Sequence, residues 1–148
     1  MVSDAKSIAQ YIVNYFIDAD APVSNLQLQK LLYFSWIDYY QKKKGAYLFD
    51  ESFVAWPLGP VVLSAYYDFC AYGAEPIFRC RPVSLSGLDT KTLDTCLESF
   101  KGWTAYELVN KSHRKGGAWD SVYQGGEGRD RVIDFELIVD KECEGVSC

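Results

Sequence analysis

The sequence predicts a mainly α-helical domain, a compact bundle of about five to six helices around a central helix at about 25–44, with a small β-hairpin at about 47–56. Three observations point there. The stretch from Val23 to Gly45 carries a start signal, a long apolar body and a stop signal for a single helix. Apolar residues recur at helical spacing in several other segments, which Gly and Pro punctuate. β-Prone runs are few and short.

In the central stretch, Ser24 is a good N-cap, and Gln27 three residues later completes a capping box that satisfies two orphan backbone donors. Val23 and Leu28 fall at the two positions of a hydrophobic staple. Lys42, Lys43 and Lys44 complement the negative end of the helix dipole, and Gly45 suits the left-handed residue that ends a helix. Leu28, Leu31, Leu32 and Tyr39 mark one apolar stripe, flanked by Leu26, Tyr33, Phe34, Trp36, Ile37 and Tyr40. A helix apolar around most of its girth is buried by several neighbours, so this one is the expected central post.

The other elements follow in order. Ile8, Ile12, Tyr15 and Phe16 space a helix from Asp4 to Asp18, with Asp4 or Ser3 as its cap. Tyr47–Phe49 and Phe53–Trp56 read as two strands of a hairpin turning at Asp50-Glu51-Ser52. Trp56-Pro57-Leu58-Gly59-Pro60 breaks the strand, and Pro60 opens an apolar helix to Tyr72, with Gly73 as its stop. Residues 74–88 are extended, because Pro76 and Pro82 forbid a helix interior. Helices are expected from Thr90 to Lys101 and, behind the capping box Thr104-Ala105-Tyr106-Glu107, up to about Ser112. Residues 113–130 are rich in Gly and charge and predict turns or a mobile loop, pinned by Trp119 and Tyr123. Arg131 to Asp140 fits a strand by alternation and a helix by the spacing of Ile133, Leu137 and Ile138.

A chain of 148 residues, 49% hydrophobic and 24% charged, can bury a core without staples. A single domain over 1–140 is expected, with a polar, flexible tail at 141–148 too small to pack. The net charge of −5 is spread along the chain, and no basic stripe suits a phosphate backbone, so nucleic-acid binding is not favoured. Five scattered cysteines and one histidine fit neither a disulfide framework nor a zinc site. The N-terminal decapeptide has no apolar signal core, and no 18-residue window is free of charge, which points to a cytoplasmic protein.

Catalytic constellations are sparse. His113, the one histidine, has no local carboxylate to orient it and reads as a surface or helix-end residue. Cys80 lies between Arg79 and Arg81, which would lower its pKa, but no second catalytic group accompanies it. Gly125-Gly126-Glu127-Gly128 lacks the Lys-Ser/Thr of a phosphate loop. No enzymatic activity, cofactor or metal is expected. The aromatic share of 16% instead raises the prospect of a protein-binding surface, with Tyr39, Tyr40, Tyr66 and Tyr67 as candidates, since paired tyrosines on two helices are hard to bury completely.

Three runs are more specific than composition. NLQLQKLLYFSW, YLFDESFVAWPLGPVV and YYDFCAYG followed by Pro76-Ile77 resemble the Panacea, or SocA-like antitoxin, domain, also known from GepA-type phage-associated proteins. SIAQYIV, WTAYELVNKSH, Ala118-Trp119 and Ile133–Ile138 fit its remaining parts. Leu63 departs from the Pro that often follows GPVV in that family, and RKGG stands before Trp119 where a more acidic, Pro-containing segment is expected. The resemblance implies a helical domain that neutralises a protein toxin encoded nearby by direct binding, in some members as an adaptor to a protease such as ClpXP. It favours the helical form of the last segment and makes Trp56, Pro57, Gly59 and Pro60 the family motif, expected to be architectural. A phage- or prophage-encoded DNA-binding regulator is the alternative, and a small enzyme using His113 or Cys80 a weaker one.

Overall fold

The computed structural model describes residues 3–143. Asp4 caps helix α1 (Ala5–Asp18) by accepting from the Ser7 amide at 2.8 Å. Helix α2 (Asn25–Lys42) begins with the expected capping box, Ser24 and Gln27 each bonding the other's backbone. At its far end the chain reverses through Lys44 and Gly45, both at positive φ. The α2 residues Leu28, Leu31, Leu32, Tyr33 and Trp36 are fully buried, and α1, α3, α4, α5, α7 and the sheet all pack on this helix. It is the central post.

The β element is displaced from its expected place. Strand β1 (Phe53–Trp56) pairs antiparallel not with 47–49 but with β2 (Gly59–Val61), across the two-residue turn Pro57-Leu58. A third strand, β3 (Val132–Ile133), pairs antiparallel with the other side of β1, giving the order β2-β1-β3. Phe49 makes only an isolated parallel bridge to Ser3. Pro60 therefore sits in a strand rather than opening a helix, which is tolerable because β2 is an edge. The Asp50-Glu51-Ser52 segment has another job: the Glu51 carboxylate accepts from Ser64 N and Oγ at 3.2 and 2.6 Å, binding the first turn of α3 (Leu63–Phe69). A 3₁₀ turn at Cys70–Tyr72 completes that segment.

Helices α4 (Thr90–Ser99) and α5 (Ala105–Ser112) stand where the sequence placed them, capped by Asp89 and by the Thr104–Glu107 box. The segment expected as a loop contains α6 (Ala118–Tyr123). The helical form of the last segment holds: α7 (Phe135–Glu142) takes up three of the four alternating residues, and only the two-residue β3 precedes it. Helix α7 also corrects the expected start of the tail. Glu142 accepts from the Tyr33 hydroxyl at 2.8 Å and pairs with Arg114, and Cys143 is buried. Residues 144–148 of the expected tail lie outside the described residues.

Candidate protein-binding site

One edge of α2 is polar and buried. Asn25 and Gln29 lie four residues apart and therefore on one face, and Lys30 follows. Asn25 Nδ2 donates to the Tyr66 carbonyl, Gln29 Nε2 donates to Asn25 Oδ1, and the Val62 amide donates to Gln29 Oε1, each at 3.0 Å. This chain of three bonds joins α2 to Val62, which links β2 to α3, and to Tyr66 within α3. Both amide side chains thereby have backbone or side-chain partners, as buried amides require.

Lys30 is 0% exposed, yet its ammonium has one hydrogen bond, to the Pro60 carbonyl at 3.0 Å. No carboxylate pairs with it among the described residues. Burial alone pushes its pKa down to about 7. Gly59 makes this arrangement sterically feasible. Its φ is +115°, and a Cβ there would stand 2.6 Å from Ser112 Oγ and 2.7 Å from Lys30 Cε. The motif glycine is thus fixed both by backbone conformation and by close approach of two side chains.

The rest of the motif forms a rim. Pro57 and Leu58 make the exposed turn, with Leu58 54% exposed. Trp56 is half-buried and meets the Tyr66 ring edge-on at 4.9 Å, while its carbonyl accepts from Trp119 Nε1 at 2.8 Å. Between this rim, the start of α2 and the end of α3 lies a cleft of about 370 Å³, within the size range of ligand pockets. Leu26, Trp56, Pro57, Leu58, Val61 and Tyr66 give it apolar walls, and Lys30 is the one charged residue lining it.

The four candidate tyrosines separate. Tyr39 is 5% exposed, and its hydroxyl accepts from the Asp89 amide at 3.3 Å, so it offers no surface. Tyr40 is half-buried and stacks on Trp36, with ring centres 5.3 Å apart. Tyr66 lines the cleft, and Tyr67 beside it is 62% exposed, with the two rings in edge contact. Only the α3 pair therefore faces outward at a recess.

His113 is the C-cap of α5 and stacks flat on Trp119 at 3.8 Å rather than lying on the surface. Burial, and then the nearby charge of Lys30, hold its pKa below the usual value. Cys80 reverses the sequence expectation. Burial, followed by the Asp68 charge, raises its thiol pKa more than Arg81 lowers it, so it is not an activated thiolate. His113 and Cys80 lie on different sides of the core, one against α6 and the other bonding the Gln10 carbonyl of α1.

Sequence reasoning missed Asn25, Gln29 and Lys30. The signal that could have found them is the girth of α2: polar residues interrupting a helix buried on most sides must themselves be buried and paired.

Residues 28–120 match the family model described as Antitoxin SocA-like, Panacea domain. The chain belongs to this family. It is also 33% identical over 135 residues to Antitoxin SocA of Caulobacter vibrioides (strain NA1000 / CB15N), covering 82% of this chain and 71% of that protein. No solved structure gives a significant match. The matched span takes in Gln29, Lys30, the whole Trp56–Pro60 motif, the two exposed-side tyrosines of α3 and Trp119, so the cleft is built almost entirely within the Panacea domain. Among the described residues, no helix is long and apolar enough to cross a membrane.

Proposed function

We propose that this Panacea-domain protein neutralises a cognate protein toxin, encoded nearby, by binding it directly. The observation that carries the reading is the 33% identity to Antitoxin SocA across most of both chains. The surface supports it. Tyr66, Trp56 and Leu58 put large apolar groups around a recess, with the exposed Tyr67 in edge contact with Tyr66, and aromatic anchors of this kind dominate protein interfaces. The acidic balance, net −5, favours a basic partner protein and disfavours nucleic acid. The protein acts by occupancy and not by catalysis, in the cytoplasm where the toxin is made.

Co-expression with the product of the neighbouring gene tests this. The expected result is growth arrest by that product alone, relief when this chain is supplied, and co-elution of the two. Relief should titrate to a fixed molar ratio, whereas an enzyme would protect at substoichiometric levels. A neighbouring product that is harmless alone and does not co-purify contradicts the reading. Relief that persists in cells lacking ClpXP assigns the effect to masking, and relief that disappears assigns it to delivery for proteolysis.

A further inference from the structure

The cleft beside the Trp56–Pro60 turn has a chemical demand that the protein itself does not meet. Its amides are satisfied: Asn25 and Gln29 bond each other, the Tyr66 carbonyl and the Val62 amide. Its walls are apolar. What remains is Lys30, a three-donor group buried at 0% exposure with one acceptor and no counter-ion among the described residues. A buried ammonium without a partner is costly, and replacing it by an apolar side chain of similar volume is the simpler way to fill such a space. The titratable group near it is His113 on α5, whose own pKa that charge depresses, so His113 does not neutralise it.

We propose that the cleft receives an apolar segment of the neutralised protein that carries one carboxylate, with the carboxylate bonded to Lys30 Nζ. This deepens the protein-binding reading above and rests on it for the identity of the occupant as a protein. Three features select that chemistry. A single cation in apolar walls suits one carboxylate on an apolar body; a phosphate chain would need several cations. The rim residue Leu58 is the exposed apolar group that would flank such an anchor. The overall charge of −5 disfavours polyanions and suits a partner whose surface around the carboxylate is neutral or basic. Lys30 is buried behind the rim, and Pro57 and Leu58 are the exposed residues of that rim.

The test uses the whole chain and 3-phenylpropionate as a minimal probe, with 3-phenylpropanamide as its uncharged match, at millimolar concentrations, read by amide and indole NMR shifts. The acid should cause saturable shifts confined to Leu26, Trp56, Leu58, Gly59 and Tyr66, and bind about tenfold more tightly than the amide. Lys30→Met should bring the acid down to the amide's affinity while its spectrum outside the cleft stays that of the folded protein. No saturable shift, equal binding of acid and amide, or a preference that survives in Lys30→Met overturns the proposal. The probe needs no toxin, so its failure is separate from failure of the co-expression test. Where the wild type relieves growth arrest, Lys30→Met should lose that relief. Full relief by the variant would leave the antitoxin reading standing and remove the role of Lys30.

Discussion

The two ends of α2 are built on different principles. Towards the Trp36 end, Leu31, Leu32, Tyr33 and Trp36 vanish into a core in which Trp36 lies parallel to Phe135 at 4.6 Å and donates to the Phe49 carbonyl. Stability there comes from apolar area and aromatic contact. At the Asn25–Lys30 end, the same helix holds the hairpin and α3 with paired amides and a buried cation. Hydrogen bonds of this kind contribute little net stability but are expensive to leave half-made. One end makes the fold stable, while the other fixes one conformation of the turn that carries the family motif.

Substitutions at each end should separate the two. Trp36→Ala should cost about 3–5 kcal/mol and leave little folded protein, because it removes a fully buried ring and its contacts. Gly59→Ala should cost about 3 kcal/mol, combining a positive φ with collision against Lys30 and Ser112. Gln29→Ala should cost about 1–3 kcal/mol, since the Val62 amide and Asn25 both lose a partner in a buried place, and chemical denaturation would report it. Ser24→Ala should cost about 1 kcal/mol by losing one half of the capping box. If Gln29→Ala proved as damaging as Trp36→Ala, the distinction between the two ends would be false.

The same contrast governs what could be read in advance. The caps of α1, α2 and α5 were legible because each is a local pattern of three or four residues. The pairing of β1 was not. Its choice of Gly59–Val61 over Tyr47–Phe49 depends on Lys30 and Gln29 binding the Pro60 carbonyl and the Val62 amide, contacts about thirty residues apart in sequence. Strand β3 is two residues long and exists only by pairing with Phe53 and Val54, so no local period announces it. Helix α6 was hidden by the glycines around it, although Trp119 was visible as its anchor. At the cleft, Tyr66, Tyr67 and the motif were legible as residues, but the polar edge beneath them was not, because α2 reads as uniformly apolar until its neighbours are known.

The central claim is that Lys30 is buried without a counter-ion, at some expense to the fold. With its pKa lowered from 10.5 to about 7 in the folded chain, the unfolded chain binds more protons at Lys30 between those values, so this group's contribution to stability must rise with pH across that window. Between pH 7 and 8.5 the Lys30 contribution approaches about 1.4 kcal/mol per pH unit. It is opposed near the upper end by the thiols of Cys80, Cys96 and Cys143, whose pKa burial raises, so that the unfolded chain deprotonates them first; they act alike in the wild type and in Lys30→Met. Melting temperatures of the wild type and Lys30→Met through that range measure it directly. The account predicts a wild type that gains on the variant as pH rises, with the variant at least as stable as the wild type at the acid end. A difference between the two proteins that stays the same across the range would show that Lys30 is already neutralised and contradict the account.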